Sequence, residues 1–81
     1  MDAKITAVYR SRGILATYWE FDFTLRDGEA AGTRGVLSLD EVVGLANRRD
    51  LGPVGDMCSV IKLTPPAQFP LLVGRVFSSE H

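Results

Sequence analysis

The chain has 81 residues, a net charge of −1, 46% hydrophobic residues and 23% charged residues. This balance excludes a disordered chain and argues against a membrane protein, and it provides no general attraction for nucleic acids or anionic bilayers. We therefore expect one folded domain over residues 1–81. The first residues lack the apolar stretch of a signal peptide, and the single Cys58 cannot close an intramolecular disulfide, so we expect a cytoplasmic protein.

Two strands are predicted at the start of the chain from apolar residues that alternate with polar ones. The first covers residues 3–10, with Ala3, Ile5, Ala7 and Tyr9 facing inward. The second lies between Gly13 and Asp27 and organises the core, because its apolar residues all share one face. That face carries Leu15, Trp19, Phe21, Phe23 and Leu25.

A tight hairpin is predicted to join these strands. Ser11-Arg12-Gly13 has the length of a three-residue loop, whose last position favours a glycine at positive φ. If Arg10 pairs with Ile14 across this loop, the apolar residues of both strands lie on the same face of the sheet. This register places Ile5 opposite Trp19, Tyr9 opposite Leu15, and Lys4 opposite Glu20.

Asp27-Gly28 is a turn dipeptide that ends the second strand. Residues 29–35 have little to bury and are interpreted as an exposed tip or loop. Val36 and Leu37 suit a short third strand, but Gly32 and Gly35 predict a bulge or irregular pairing there.

A helix is predicted to begin at Ser38, because Ser38-Leu39-Asp40-Glu41 forms a capping box. It should end near Arg49, with Arg48 and Arg49 favourable for the helix dipole at its last turn. Its apolar face consists of Leu39, Val42, Val43 and Ala46.

The remaining chain is interpreted as a connecting loop over residues 50–56 and two further strands. The β-branched run of residues 57–64 predicts one strand, which Pro65 and Pro66 end. Residues 69–77 predict the last strand, in a central or doubly covered position because apolar residues occupy both of its faces. Residues 78–81 are expected to form a frayed tail.

The predicted order ββ(β)αββ indicates an α+β fold, a small antiparallel sheet with one helix packed across it in a β-grasp-like manner. The alternative is an OB-type five-stranded barrel. Residues 33–37 distinguish the two folds, since a barrel requires a long strand there.

No catalytic, cofactor or metal site is predicted, and we expect the protein not to be an enzyme. The only histidine is His81, at the last position, and one cysteine with one histidine cannot supply the three or four ligands of a zinc site. Glu20 and Asp22 project from the same strand face, as a catalytic carboxylate pair would, but alternating polar residues are typical of any solvent-facing strand.

The leading functional hypothesis is a small protein-binding domain that acts as an inhibitor, adaptor or assembly factor of a larger protein, of the kind that phages and mobile elements encode. Unpaired sheet edges also predict a homodimer. The alternative is a barrel that binds single-stranded nucleic acid through stacking on Tyr18 and phosphate contacts from Arg10, Arg12, Arg26 and Arg34, although interspersed carboxylates weaken it. The candidate partner-binding residues are Tyr18, Glu20, Asp22, Thr24, Arg26, Asp27, Glu29 and Arg34.

Overall fold

A computed structural model describes residues 1–28 and 32–78 of the chain. The described part is a small α+β domain, as predicted, with an open antiparallel sheet of four strands in the order β3-β2-β1-β4. The elements in chain order are β1 (Asp2–Arg12), β2 (Thr17–Arg26), β3 (Thr33–Ser38), α1 (Leu39–Leu45), a first 3₁₀ segment (Arg49–Leu51), α2 (Pro53–Leu63), a second 3₁₀ segment (Pro66–Leu72) and β4 (Val76–Ser78).

The β1–β2 hairpin is present, but the predicted register is wrong. Ile5 lies opposite Phe23 rather than Trp19, and Trp19 lies opposite Arg10. The strands run further than predicted, with β1 continuing to Arg12 and β2 beginning at Thr17, so residues 13–16 form the connection. The predicted pairs of Lys4 with Glu20 and of Tyr9 with Leu15 are therefore absent.

A bulge in β1 explains why the predicted inward face of this strand is only half correct. The pairing register shifts between Ile5 and Ala7, and an inserted residue reverses the face on which later side chains lie. Ala3 and Ile5 are buried before the bulge, whereas after it Val8 packs against the core and Tyr9 is exposed.

Gly13 is required for a close approach rather than for a positive φ. Its amide donates to the carbonyl of Ala16 at 2.8 Å, and a Cβ at Gly13 would lie 2.8 Å from the same oxygen. Leu15, predicted on the apolar face, is fully exposed in this connection, whereas Trp19 and Phe21 keep their predicted face.

β3 is a regular six-residue strand from Thr33 to Ser38, so the loop predicted over residues 33–35 and the bulge predicted from Gly32 and Gly35 are both wrong. Gly35 lies opposite Phe23, and the pairing with β2 runs without a shift from Thr33 to Ser38. A Cβ at Gly35 would collide with the Phe23 ring, so the missing side chain makes room for that ring. Gly28, in the predicted turn, has a φ of 64°, and residues 29–31 lie outside the described part.

The capping box at the start of α1 is confirmed. The Glu41 amide donates to the Ser38 hydroxyl at 3.3 Å, and the Ser38 amide donates to the Glu41 carboxylate at 3.0 Å. The helix ends at Leu45 rather than near Arg49, because the backbone of Ala46 is extended, with a ψ of 143°, and Asn47 after it takes a positive φ of 66°. The two arginines therefore lie outside the last turn of the helix.

We expect Ser38→Ala to lower the free energy of unfolding by about 1 kcal/mol through loss of this cap. The backbone hydrogen bond from Ser38 holds the pKa of Glu41 below its ordinary value. The contribution of this bond is therefore present above the unfolded-state pKa and is lost as the pH falls through the folded-state pKa. Urea unfolding of Ser38→Ala at pH 7 measures the loss of the cap, with Ser78→Ala at the exposed end of β4 as the matched control. The bond from the Ser38 amide to Glu41 is kept in Ser38→Ala, so its contribution is measured by comparing the wild type with Glu41→Ala at pH 7 and at acid pH.

The second helix replaces a predicted loop and a predicted strand. Residues 50–56 and 57–64 were interpreted as loop and strand, but α2 runs through both. Met57, Cys58 and Ile61 are fully buried on one side of this helix. This spacing fits one face of a helix, and it fits a strand only if both faces of the strand are buried. Pro53 lies in the first turn of α2, where its missing N–H costs nothing.

Most of the predicted last strand is also wrong. Residues 66–72 form the second 3₁₀ segment, and only Val76–Ser78 pairs as β4, at the edge of the sheet beside β1 rather than at its centre. Phe69 and Leu72 are nevertheless buried, because the 3₁₀ segment packs these two side chains into the core.

The core lies between one face of the sheet and the helical segments. The Phe69 ring meets Trp19 and Phe21 edge-to-face, with ring centroids 5.1 Å apart in each pair. The buried residues of β1, β2 and β4 all belong to this face, and no helix within residues 1–28 and 32–78 packs on the opposite face. The core consists of Ala3, Ile5, Phe21, Phe23, Val42, Met57, Cys58, Ile61, Phe69, Leu72 and Phe77.

Candidate functional site

The predicted partner-binding residues of β2 lie on the side of the sheet that none of the helices in the described part of the chain covers, which we call the uncovered face. Tyr18, Glu20, Asp22 and Thr24 alternate along β2 with the core residues and are exposed or half-buried. Arg34 of β3 lies opposite Thr24 and joins them. Of the other predicted residues, Arg26 ends β2, Asp27 follows it, and Glu29 lies outside the described residues.

Further residues of this face were not among the predicted partner-binding residues, and Tyr9, Ser11 and Val36 are three of them. Tyr9 lies opposite Glu20, Ser11 lies opposite Tyr18, and Val36 lies opposite Asp22. The bulge turns Tyr9 and Ser11 outward, and no residue in β1 marks its position. Val36 could have been placed here if β3 had been predicted as a regular strand.

Hydroxyl groups of β1 hold both carboxylates of the uncovered face in place. The Tyr9 hydroxyl donates to the Asp22 carboxylate at 2.7 Å. The Ser11 hydroxyl donates to the Glu20 carboxylate. Both bonds cross from β1 to β2, so the two acidic groups are fixed relative to the sheet.

The hydrogen bond to Asp22 raises the pKa of Tyr9 to about 12. In a Tyr18→Phe background, where Tyr9 is the only tyrosine, we expect its ultraviolet absorbance to titrate near this value. Asp22→Asn should return the pKa toward its ordinary value of 10.0. Because the folded-state pKa is raised, the bond's contribution to stability is present below pH 10 and is lost as the pH rises through about 12. If the pKa of Tyr9 is the same in Asp22→Asn, this result would contradict the hydrogen bond between the Tyr9 hydroxyl and the Asp22 carboxylate.

The four arginines considered for phosphate contacts form two separate pairs. Arg10 and Arg12 lie near the 13–16 connection, and the Arg10 guanidinium sits 4.8 Å from the centre of the Trp19 ring. Arg26 and Arg34 lie toward the other end of the hairpin. The carboxylates of the uncovered face lie between the pairs, so the arginines do not form a continuous basic stripe.

The end of the β1–β2 hairpin projects from the rest of the molecule. β3 pairs with β2 only from Glu20 onward, and β4 pairs with β1 only over residues 2–4. The remaining two-stranded ribbon ends in Ile14 and Leu15, which are both fully exposed, and the molecule measures 41 × 24 × 22 Å. We call residues 13–16 the tip.

A groove of about 700 Å³ lies beside this ribbon, between the start of β2 and the start of α1. Its lining includes the apolar or aromatic residues Ala16, Tyr18, Trp19 and Leu39 and the acidic residues Glu20, Asp40 and Glu41. The full lining consists of residues 16–20 and 38–41.

The described residues offer no group of three or more His, Cys, Asp or Glu side chains that could hold a metal ion. Cys58 is fully buried, and its burial raises the pKa of the thiol to about 11. At neutral pH the thiol is therefore protonated and poorly nucleophilic. His81 lies outside the described part of the chain.

Comparisons with protein-family models, with characterised proteins and with solved structures found no match for this chain. Within residues 1–28 and 32–78, none of the helices has the length and apolar character needed to cross a membrane.

Proposed function

We propose that this chain is a protein-binding domain that acts as an inhibitor, adaptor or assembly factor of a larger protein. The observation that carries the proposal is the uncovered face of the sheet. All the buried side chains of the core lie on the other face, while tyrosines, fixed carboxylates and an aliphatic residue share this one. In the general sense of helices packed across one side of a sheet, the architecture is β-grasp-like.

The side chains of the uncovered face are of the kinds that contribute most to protein interfaces. Tyr9 and Tyr18 are 38% and 41% exposed, and tyrosine is enriched among the residues that dominate binding energy. Asp22 and Glu20 are already held by hydroxyl groups, so less conformational freedom is lost when a partner binds.

The charge pattern favours a protein over a nucleic acid as the partner. Carboxylates in the middle of the face repel phosphate groups, whereas a protein can place basic side chains against them. A cytoplasmic location suits this role, because thiols stay reduced in that compartment and the single Cys58 has no partner for an intramolecular disulfide.

Native-lysate binding tests the proposal through two matched arginine substitutions. Thr24→Arg places a bulky charge in the middle of the uncovered face, and Gln68→Arg places the same charge on the exposed side of the second 3₁₀ segment. We expect tagged wild type and Gln68→Arg to retain the same stoichiometric protein partner in size-exclusion chromatography and mass spectrometry, and Thr24→Arg to lose it. Equal retention by all three proteins, or the absence of any partner, would overturn the proposal.

A further inference from the structure

The start of β2 has a strand edge without a strand partner. β3 pairs with β2 from Glu20 to Leu25, and β2 begins at Thr17. Among the described residues, Thr17, Tyr18 and Trp19 therefore have a strand neighbour only on the β1 side. Such an edge presents backbone groups that can pair with another strand.

The groove described above lies along this same edge. Five consecutive residues of the chain, 16–20, line it. Because neighbouring residues of a strand point to opposite faces, a groove lined by all of them runs along the edge rather than over one face. The groove therefore offers backbone groups, an apolar lining and an acidic rim to whatever pairs there.

The tip beside this groove has the complementary chemistry. Ile14 and Leu15 are fully exposed apolar side chains, and Arg12 is the nearest charged residue in sequence. Residues 10–16, from the end of β1 through the tip, contain the two basic residues Arg10 and Arg12 and no acidic one. The groove has the opposite character, with Glu20, Asp40 and Glu41 and no basic residue in its lining.

We infer that two copies of this chain form a two-fold dimer in which the tip of each copy docks in the groove of the other. The edges pair antiparallel about Tyr18, so that Thr17 of one copy lies opposite Trp19 of its partner. Extending this pairing by one residue brings Ala16 opposite Glu20, which itself pairs with Ser38 within its own chain. The tip of each copy then reaches the start of the other copy's α1, where Asp40 and Glu41 lie.

This arrangement is self-complementary, as a two-fold interface requires. One surface carries both the apolar tip with the neighbouring Arg12 and the apolar, acidic groove, so each dimer contains the contact twice. The two-fold axis of an antiparallel pair is perpendicular to the sheet, which leaves both uncovered faces on the same side of the dimer. The inference goes beyond the proposed function and does not depend on it.

Light scattering coupled to size exclusion at several protein concentrations tests the dimer. We expect the wild type to associate in a concentration-dependent manner, more weakly as the salt concentration rises. Leu15→Ser should raise the dissociation constant at least about tenfold, because it removes an apolar side chain from both contacts. Leu71→Ser, at a side chain that is 80% exposed in the second 3₁₀ segment, is the matched control and should dissociate like the wild type.

A charge exchange between two variants tests which surfaces meet. Arg12→Glu places acid against acid in both contacts of a homodimer, and Asp40→Lys places base against base. We expect each variant alone to be monomeric where the wild type is dimeric. In an equimolar mixture, one contact joins the two substituted side chains, which again have opposite charges, and the other joins the native Arg12 to the native Asp40. A heterodimer should therefore form.

Circular dichroism establishes that both variants are folded, which is expected because each replaced side chain is exposed. A heterodimer in the mixture, together with monomers of each variant alone, supports the tip-in-groove contact. A monomeric wild type at about millimolar concentration would overturn the inference, as would a mixture that stays monomeric. A dimer that neither variant weakens would show that another surface associates, and it would overturn the inference as well.

Discussion

Replacing Phe21 with alanine is expected to lower the free energy of unfolding by about 3–5 kcal/mol, the largest loss from any single side chain of the sheet. The Phe21 ring is fully buried and meets Phe69 edge-to-face at 5.1 Å. Its removal leaves a cavity between the sheet and Phe69, which belongs to the second 3₁₀ segment. Urea unfolding measures the loss.

A domain of this size has a total stability of only about 4–12 kcal/mol, so Phe21→Ala can leave it largely unfolded. Phe21→Leu provides a milder variant that keeps the core apolar, with an expected loss of about 1–2 kcal/mol. Tyr18→Ala is the matched control, because Tyr18 belongs to the same strand but to its exposed side. Equal losses for Phe21→Ala and Tyr18→Ala would contradict the assignment of the two faces.

The second large effect is expected at Gly55, inside α2. A Cβ there would collide with the backbone carbonyl oxygen of Arg48, and a backbone atom cannot move aside as a side chain can. We expect Gly55→Ala to lower the free energy of unfolding by about 2–3 kcal/mol, because the first 3₁₀ segment must shift away from the helix. The loss is unusual, since alanine normally stabilises a helix relative to glycine.

Gly44→Ala in α1 is the matched control for this substitution. A Cβ at Gly44 meets no atom within 4 Å, so alanine there should stabilise the protein by about 0.5–1 kcal/mol. Thermal unfolding of the two variants beside the wild type should show opposite shifts. A stabilising Gly55→Ala would contradict the close packing of α2 against Arg48.

Several elements in the first half of the fold, though not their register or all of their ends, could be predicted from local sequence signals. The alternation in β2 identifies Phe21 and Phe23 as core residues, and Ser38 with Glu41 marks the start of α1. These signals depend on residues that are close in sequence, so they need no knowledge of the tertiary structure. The bulge in β1 is different, because it becomes visible only once the pairing with β2 is known.

The second half was predicted less well because its apolar runs fit more than one element. Met57, Cys58 and Ile61 lie in a β-branched segment, yet they also share one face of a helix. Pro53 after Gly52 was the signal that could have decided for a helix, since proline is favoured in the first turn. The prolines at 66 and 70 could have argued against a long last strand.

The candidate site likewise has one part that the local sequence predicts and one part that depends on the tertiary structure. Tyr18, Glu20 and Asp22 could be placed together because one strand carries them all. The tip and the groove could not, because they depend on where β3 ends relative to β2 and on where α1 leaves the sheet. Leu15 in particular was assigned to the core, since a strand pattern alone does not show where the strand begins.

Hydroxyl-radical footprinting of the protein, alone and bound to its captured partner, tests most directly whether the uncovered face binds that partner. We expect protection of Tyr9, Tyr18 and Val36 in the complex, and no change at Leu63 and Leu71, which are exposed on the helical side. Protection of the two leucines with unchanged labelling of the tyrosines would contradict the account, because the partner would then bind the helical side.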